Sequence, residues 1–119
     1  MNAREALAGL EPVGGAEGLK QTYEVLRGKR HYIVGSTSRV KRRSGNFNIV
    51  SAEAAEAAHE SFAGQEAVTS KMVRQRLQRR GISVETLEAL NILYVLVALG
   101  KARVDRRRSQ TALFFNVAA

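Results

Sequence analysis

The second half of the chain carries a clear pattern of apolar and polar positions. In "VTSKMVRQRLQRRG", Met72, Val73 and Leu77 fall toward one side and polar residues fill the rest, which predicts a surface helix ended by Gly81. The next run, "ISVETLEALNILYVLVALG", begins amphipathic and becomes apolar all round in "ILYVLVAL", so we expect this helix to be buried on most sides. Two strand-like runs, "ARV" and "ALFFNV", then flank the basic loop "DRRRSQT".

The first half is less sharply patterned. "REALAGLEP" predicts a short helix, and "GGAEGLKQTYEVLRGK" predicts a second one because Leu19, Tyr23 and Leu26 recur at helical spacing. The runs "HYIV" and "FNIV" predict a β-hairpin with a long basic loop. A third helix is expected over "SAEAAEAAHESFAG", with Ser51 as its N-cap and Gly64 at its end. The prediction is therefore an α+β, helix-rich fold.

Capping residues predict where the two later helices begin and end. Thr69 or Ser70 is a suitable N-cap for the first, and Ser83 for the second. Gly100 is expected to close the second helix in a left-handed conformation.

Charge is segregated along the 119 residues. The chain has 19 Lys and Arg against 11 Asp and Glu, a formal net charge of +8. Most of the basic residues fall in the blocks 27–43, 71–80 and 101–108, and Asp105 is the one acid within these blocks. Basic blocks of this kind favour attraction to a polyanion such as nucleic acid.

Several other functions find no support in the sequence. There is no cysteine, and neither His31 nor His59 has further ligands at metal-binding spacing, so we expect no metal site and no cofactor. No nucleophile elbow or Walker A spacing is present, so we expect no enzyme and no catalytic residue. The absence of a leader pattern or a long apolar run predicts a cytoplasmic protein without a membrane partner.

The order of elements over residues 51–117 resembles the winged helix-turn-helix domain. The matching pieces are the helix "SAEAAEAAHESFAG", the short strand "AVT", the helix pair, and "ARVDRRRSQTALFFNV" as strand, wing and strand. The resemblance divides the chain into an N-terminal extension of helices and a basic hairpin, residues 1–50, and a winged helix domain, residues 51–119.

In that family the second helix of the pair enters the major groove of DNA, and the wing contacts the flanking backbone. The resemblance implies that Ser83, Glu85, Thr86, Glu88 and Asn91 face bases. Because glutamates repel phosphates, two other sources of affinity stay open, namely the preceding helix, or the wing together with the front hairpin loop. The predicted DNA contacts are Arg39, Lys41, Arg42, Arg43, Lys71, Arg74, Gln75, Arg79, Arg80, Thr86, Asn91, Lys101, Arg103, Arg106, Arg107, Arg108 and Gln110.

We therefore expect a protein that binds double-stranded DNA, as a small transcriptional regulator or an accessory factor of a mobile element. Two alternatives remain: a winged-helix protein interaction module of a larger assembly, and an RNA-binding protein. A homodimer is expected if a second copy covers the apolar run "ILYVLVAL", although the front-half helices could cover it within one subunit.

Overall fold

The part of the chain that the structure describes forms an α+β fold of a four-stranded antiparallel sheet, a two-stranded sheet and three helices. The computed structural model describes residues 8–19, 21–38, 45–109 and 111–119. In chain order the elements are β1 Glu11–Glu17, β2 Gln21–Arg27, β3 His31–Ser38, β4 Gly45–Ser51, α1 Ala52–Phe62, α2 Ser70–Arg79, α3 Thr86–Ala98, β5 Ala102–Val104 and β6 Phe115–Val117.

The first four strands form a meander in the order β1-β2-β3-β4, with every neighbouring pair antiparallel. Val25 lies opposite Val34, and both are buried together with Ala16 and Val50 in the hydrophobic core. Because side chains alternate across a strand, these residues cover one face of the sheet. The predicted hairpin of "HYIV" and "FNIV" is confirmed as β3 and β4.

The predicted helix over "GGAEGLKQTYEVLRGK" is wrong, because this stretch forms the end of β1 and the whole of β2. Glu11 and Pro12 of the first predicted helix also belong to β1, and its residues 4–7 lie outside the described part of the chain. In β2 the residues alternate, with Thr22 and Glu24 exposed and Val25 buried. Strands occupy about as much of the described chain as helices, so the expected helix-rich composition is also wrong.

The predicted N-caps of α1 and α2 are confirmed. The Ser51 hydroxyl accepts a hydrogen bond from the Ala54 N–H at 3.1 Å, and the Thr69 hydroxyl accepts one from the Met72 N–H at 3.2 Å. Such caps satisfy N–H groups that have no partner within the helix. The predicted N-cap Ser83 is wrong, because α3 begins at Thr86 and its N-cap is Glu85.

Helix α3 lies at the centre of the fold and packs against all four strands of the meander as well as α1, α2 and β5. The buried side chains of the helix run from Ala89 to Leu96, with Leu90 only partly covered. Tyr94 stacks on Tyr23 of β2 with ring centroids 4.0 Å apart, and it meets Phe115 edge-on at 6.0 Å. Burial, followed by the contact with Tyr23, raises the pKa of the Tyr94 hydroxyl, so this residue is neutral in the core.

The run "ILYVLVAL" is therefore covered within one chain, by strands in place of the expected front-half helices. This burial removes the reason for expecting a homodimer, and the oligomeric state stays a prediction. None of the described helices has the length and apolarity that a membrane span requires.

A second, smaller sheet follows α3. The strand predicted at "ARV" is confirmed as β5, and of the strand predicted at "ALFFNV" only "FNV" forms β6. Val68, in the predicted strand "AVT", forms a bridge to Phe115 of β6 through backbone hydrogen bonds of 2.8 and 2.9 Å. At the end of α3, Gly100 has φ 75°, and the Lys101 N–H bonds to the Leu96 carbonyl. This left-handed cap confirms the predicted end of the helix and turns the chain into β5.

The close approach of β1 to α3 yields a stability test. A β-carbon at Gly14 would lie 2.8 Å from the backbone carbonyl oxygen of Ala98, which cannot move without shifting the helix. We expect Gly14→Ala to lower the free energy of unfolding by about 1–3 kcal/mol, measured by urea denaturation. Gly35→Ala is the matched control, because its β-carbon would meet no atom closer than 3.9 Å. Equal loss in both variants would contradict the packing of β1 on α3.

Candidate nucleic-acid interface

Helix α2 presents a polar and cationic stripe to solvent. Val73 and Leu77 are fully buried, and the opposite side of the helix is exposed. At 100° per residue, the exposed positions in the first, second and third turns fall close together on that side. We call these residues the α2 stripe: Lys71, Arg74, Gln75, Gln78 and Arg79. None of the three cations of the stripe has an ion pair with another described residue.

Two further arginines of this segment hold α2 against α1. The Arg80 guanidinium donates to the Ala57 carbonyl at 3.1 Å and to the Ser61 hydroxyl at 3.0 Å, and it pairs with Glu60 at 3.1 Å. Arg76 lies 5.1 Å from the centroid of the Phe62 ring. Arg80, a predicted DNA contact, therefore has a structural role in joining two helices.

The predicted reading helix, α3, offers very little surface. Thr86 and Leu87 in its first turn are exposed, and Leu87 retains 61% of its accessible surface. Asn91, which we expected to face bases, is only 1% exposed, and its amide donates to the Leu87 carbonyl at 3.1 Å. The structure thus corrects the prediction for Asn91, because the side chain is enclosed in the core.

The start of α3 is also acidic. Glu85 is the N-cap and Glu88 lies in the first turn. Partial burial and then the nearby charge of Glu85 raise the pKa of Glu88, despite a backbone hydrogen bond that acts in the opposite direction. The helix dipole favours carboxylates at this end of α3, but at Glu88 burial and the charge of Glu85 outweigh it, so the ionised form of Glu88 is disfavoured overall. The two carboxylates oppose the approach of phosphate groups.

Asp105 organises the basic loop between β5 and β6, residues 105–114, which we call the wing. Its side chain is 2% exposed and accepts hydrogen bonds from the Arg107 N–H at 3.1 Å and from the Arg108 guanidinium at 2.7 Å. The Asn116 amide donates to the same carboxylate at 3.4 Å. Arg108 also lies 3.9 Å from Glu66. Arg108 is thereby held in place by two carboxylates.

These contacts determine the ionisation of Asp105. Burial opposes the charged form, but the hydrogen bonds from Arg107 and Asn116 and the charges of Arg108 and Arg107 outweigh it, so the pKa of Asp105 is lowered. Asp105 is therefore ionised at neutral pH and offsets one positive charge of the wing.

The other two wing arginines are more available. Arg107 is 79% exposed and lies 3.7 Å from Asp105, and Arg106 pairs with Glu17 of β1 at 3.5 Å. An ion pair between two exposed side chains adds about 0–1 kcal/mol, so phosphate groups can compete for Arg106. Lys101, which directly precedes β5, and Arg103 on β5 are exposed and have no ion pair with other described residues.

The structure therefore divides the predicted contacts into groups. The exposed contacts are Lys71, Arg74, Gln75, Arg79, Thr86, Lys101, Arg103, Arg106 and Arg107. Asn91 is buried, Arg80 joins α2 to α1, and Arg108 pairs with Asp105. Arg39, Lys41, Arg42, Arg43 and Gln110 lie outside the described residues, so their predicted contacts stay predictions. Gln78 is not among the predicted contacts, although its spacing of three from Gln75 and four from Arg74 places it on the same side of a helix.

No group of three His, Asp or Glu side chains within the described ranges lies close enough together to hold a metal ion. Comparison with protein-family models, with curated proteins and with solved structures finds no match to this chain.

The lowered pKa of Asp105 predicts an effect of acid on stability. A carboxyl whose pKa is lower in the folded state contributes stability above its ordinary value of 3.8 and loses it as the pH falls through the lowered value. We expect Asp105→Ala to be less stable than the parent at pH 7, and the difference to shrink below about pH 4. Urea denaturation across pH 2–7 measures this difference. Glu56→Ala, at an exposed site, is the control, and a difference that stays constant for Asp105→Ala would contradict the assignment.

Adjacent arginines at the end of α2 provide a matched pair. Arg80→Ala removes the contacts to α1, and we expect it to lower the free energy of unfolding by about 1 kcal/mol. Arg79→Ala should change it by less than about 0.5 kcal/mol, because Arg79 is exposed. Thermal unfolding of both variants tests the distinction, which fails if Arg79→Ala is the more destabilised of the two.

Proposed function

We propose that residues 51–117 are a winged helix that binds double-stranded DNA, in a small transcriptional regulator or a mobile-element accessory factor. The order α1, Val68, α2, α3, β5, wing and β6 supports this assignment. So does the pairing within the small sheet, in which β6 lies between Val68 and β5.

The observation that carries the proposal is a group of exposed cations on α2, at Lys101 and on β5 that have neither an ion pair nor a side-chain hydrogen bond with another described residue. They are Lys71, Arg74, Arg79, Lys101 and Arg103. Arg106 and Arg107 add two more positive charges at the wing. Arg106 is paired at 3.5 Å with Glu17, an exposed side chain, and Arg107 lies 3.7 Å from Asp105. Lys and Arg side chains that neutralise phosphates release counterions from the duplex, and this term dominates affinity.

The binding mode differs from the one implied by the resemblance. Because the meander covers α3, DNA could contact the whole length of that helix only if the four-stranded sheet detached from it. Exposing even three of the buried apolar side chains would cost roughly 5–9 kcal/mol, which is comparable with the whole stability of a small domain, about 5–15 kcal/mol. Affinity then comes from the cations of the α2 stripe, from Lys101 and Arg103, and from the arginines of the wing.

One feature favours protein-protein interaction as a second function. Leu87 is 61% exposed, and Glu85 and Glu88 lie on either side of it in the sequence. An apolar side chain with acidic neighbours suits a protein surface better than a phosphate backbone. This site involves only the first turn of α3 and does not overlap the α2 stripe.

A salt titration tests the proposed DNA binding. If about six phosphates are neutralised, the logarithm of the association constant should fall with the logarithm of the salt concentration at a slope of about −5. The double variant Arg106→Ala, Arg107→Ala should reduce this slope by about 2, because two phosphate contacts are lost. Fluorescence anisotropy with random-sequence duplex DNA measures both slopes.

Glu53→Ala with Glu56→Ala is a charge-changing control at exposed positions of α1. Single-stranded DNA and duplex RNA are measured alongside the DNA duplex. Equal or tighter binding to duplex RNA would contradict the DNA assignment, and no binding to any of the three at low salt would direct attention to a protein partner at Leu87.

A further inference from the structure

We infer that α2, and not α3, is the helix that reads base edges in the major groove, with Gln75 and Gln78 as specificity-determining residues. This inference rests on the proposed binding of double-stranded DNA. It concerns which side chains recognise sequence, and the total affinity for the duplex is a separate quantity.

The dimensions of α2 suit a major groove. The groove is about 12 Å wide and admits one α-helix. From Lys71 to Arg79 the helix rises about 12 Å, which corresponds to between three and four base-pair steps of about 3.4 Å. The α2 stripe is thus long enough to contact a short run of base pairs from one groove.

The side chains of the stripe carry the chemistry of base recognition. A Gln amide has a donor and an acceptor that match adenine N7 and N6, and an Arg guanidinium matches guanine O6 and N7. Gln75, Gln78 and Arg79 line one open surface depression, so their polar groups lie side by side. No acidic residue occurs within α2, whereas α3 begins with two.

The helix is also held firmly, which recognition of base edges requires. Val73 and Leu77 are fully buried, and the Thr69 hydroxyl caps the first turn. Arg76 and Arg80 fix the last turn against α1. None of these contacts uses a residue of the stripe, so the stripe is free to face a ligand.

Selection of bound sequences from a randomised duplex pool tests the inference. We expect the parent protein to enrich a short motif, and Gln75→Ala with Gln78→Ala to lose roughly tenfold or more of its preference for that motif over random duplex. Affinity for random duplex and its salt slope should stay within about twofold of the parent, because no charge is removed. Gln65→Ala is the matched control, an exposed glutamine outside the helix.

The outcomes separate the inference from the proposed function. Failure of the parent to bind duplex DNA would overturn the proposed function itself. Duplex binding without an enriched motif would overturn base reading by α2 and leave the proposed function standing. An enriched motif that survives the double substitution but is lost in Thr86→Ala would assign recognition to the first turn of α3. Thermal unfolding confirms that each variant is folded.

Discussion

The burial of α3 is the constraint on which the rest of the structure depends. A helix that is apolar nearly all round must be covered on every side, and here the meander covers the side that α1, α2 and β5 leave open. The stacking of Tyr94 on Tyr23 and the close approach of Gly14 to Ala98 belong to the same contact. Because this contact encloses α3, α2 becomes the helix with the larger accessible surface.

Electrostatics divides the arginines into two kinds. Arg80 contacts a backbone carbonyl and a carboxylate of α1 at 3.1 Å and so holds α1 against α2, and Arg108 pairs with Asp105 inside the wing at 2.7 Å. Arg74, Arg79 and Arg103 are exposed and have no such partner among the described residues. The net charge of +8 therefore overstates the positive charge that a polyanion can reach, because arginines of the first kind are already paired.

The sequence predicts the helices and small strands of the back half well, because their caps and periodicity are local. Ser51, Thr69 and Gly100 each act within one turn of their own helix. The helix predicted over the end of β1 and β2 is wrong because Tyr23 and Leu26 fit a helical period, while the alternation of Thr22, Glu24 and Val25 fits a strand. Packing on α3 decides between the two. Asn91 fails for the same reason, because a polar residue gives no sign that a distant sheet encloses it.

The central claim is that DNA meets α2 while α3 stays enclosed, and an NMR titration of the labelled protein with duplex DNA tests it most directly. We predict that the largest amide shift changes fall on residues 71–79 and on the wing, with residues 91–96 of α3 nearly unchanged. Large changes along residues 91–96, with loss of the Tyr23 to Tyr94 contact, would show that the sheet detaches, and would contradict this account.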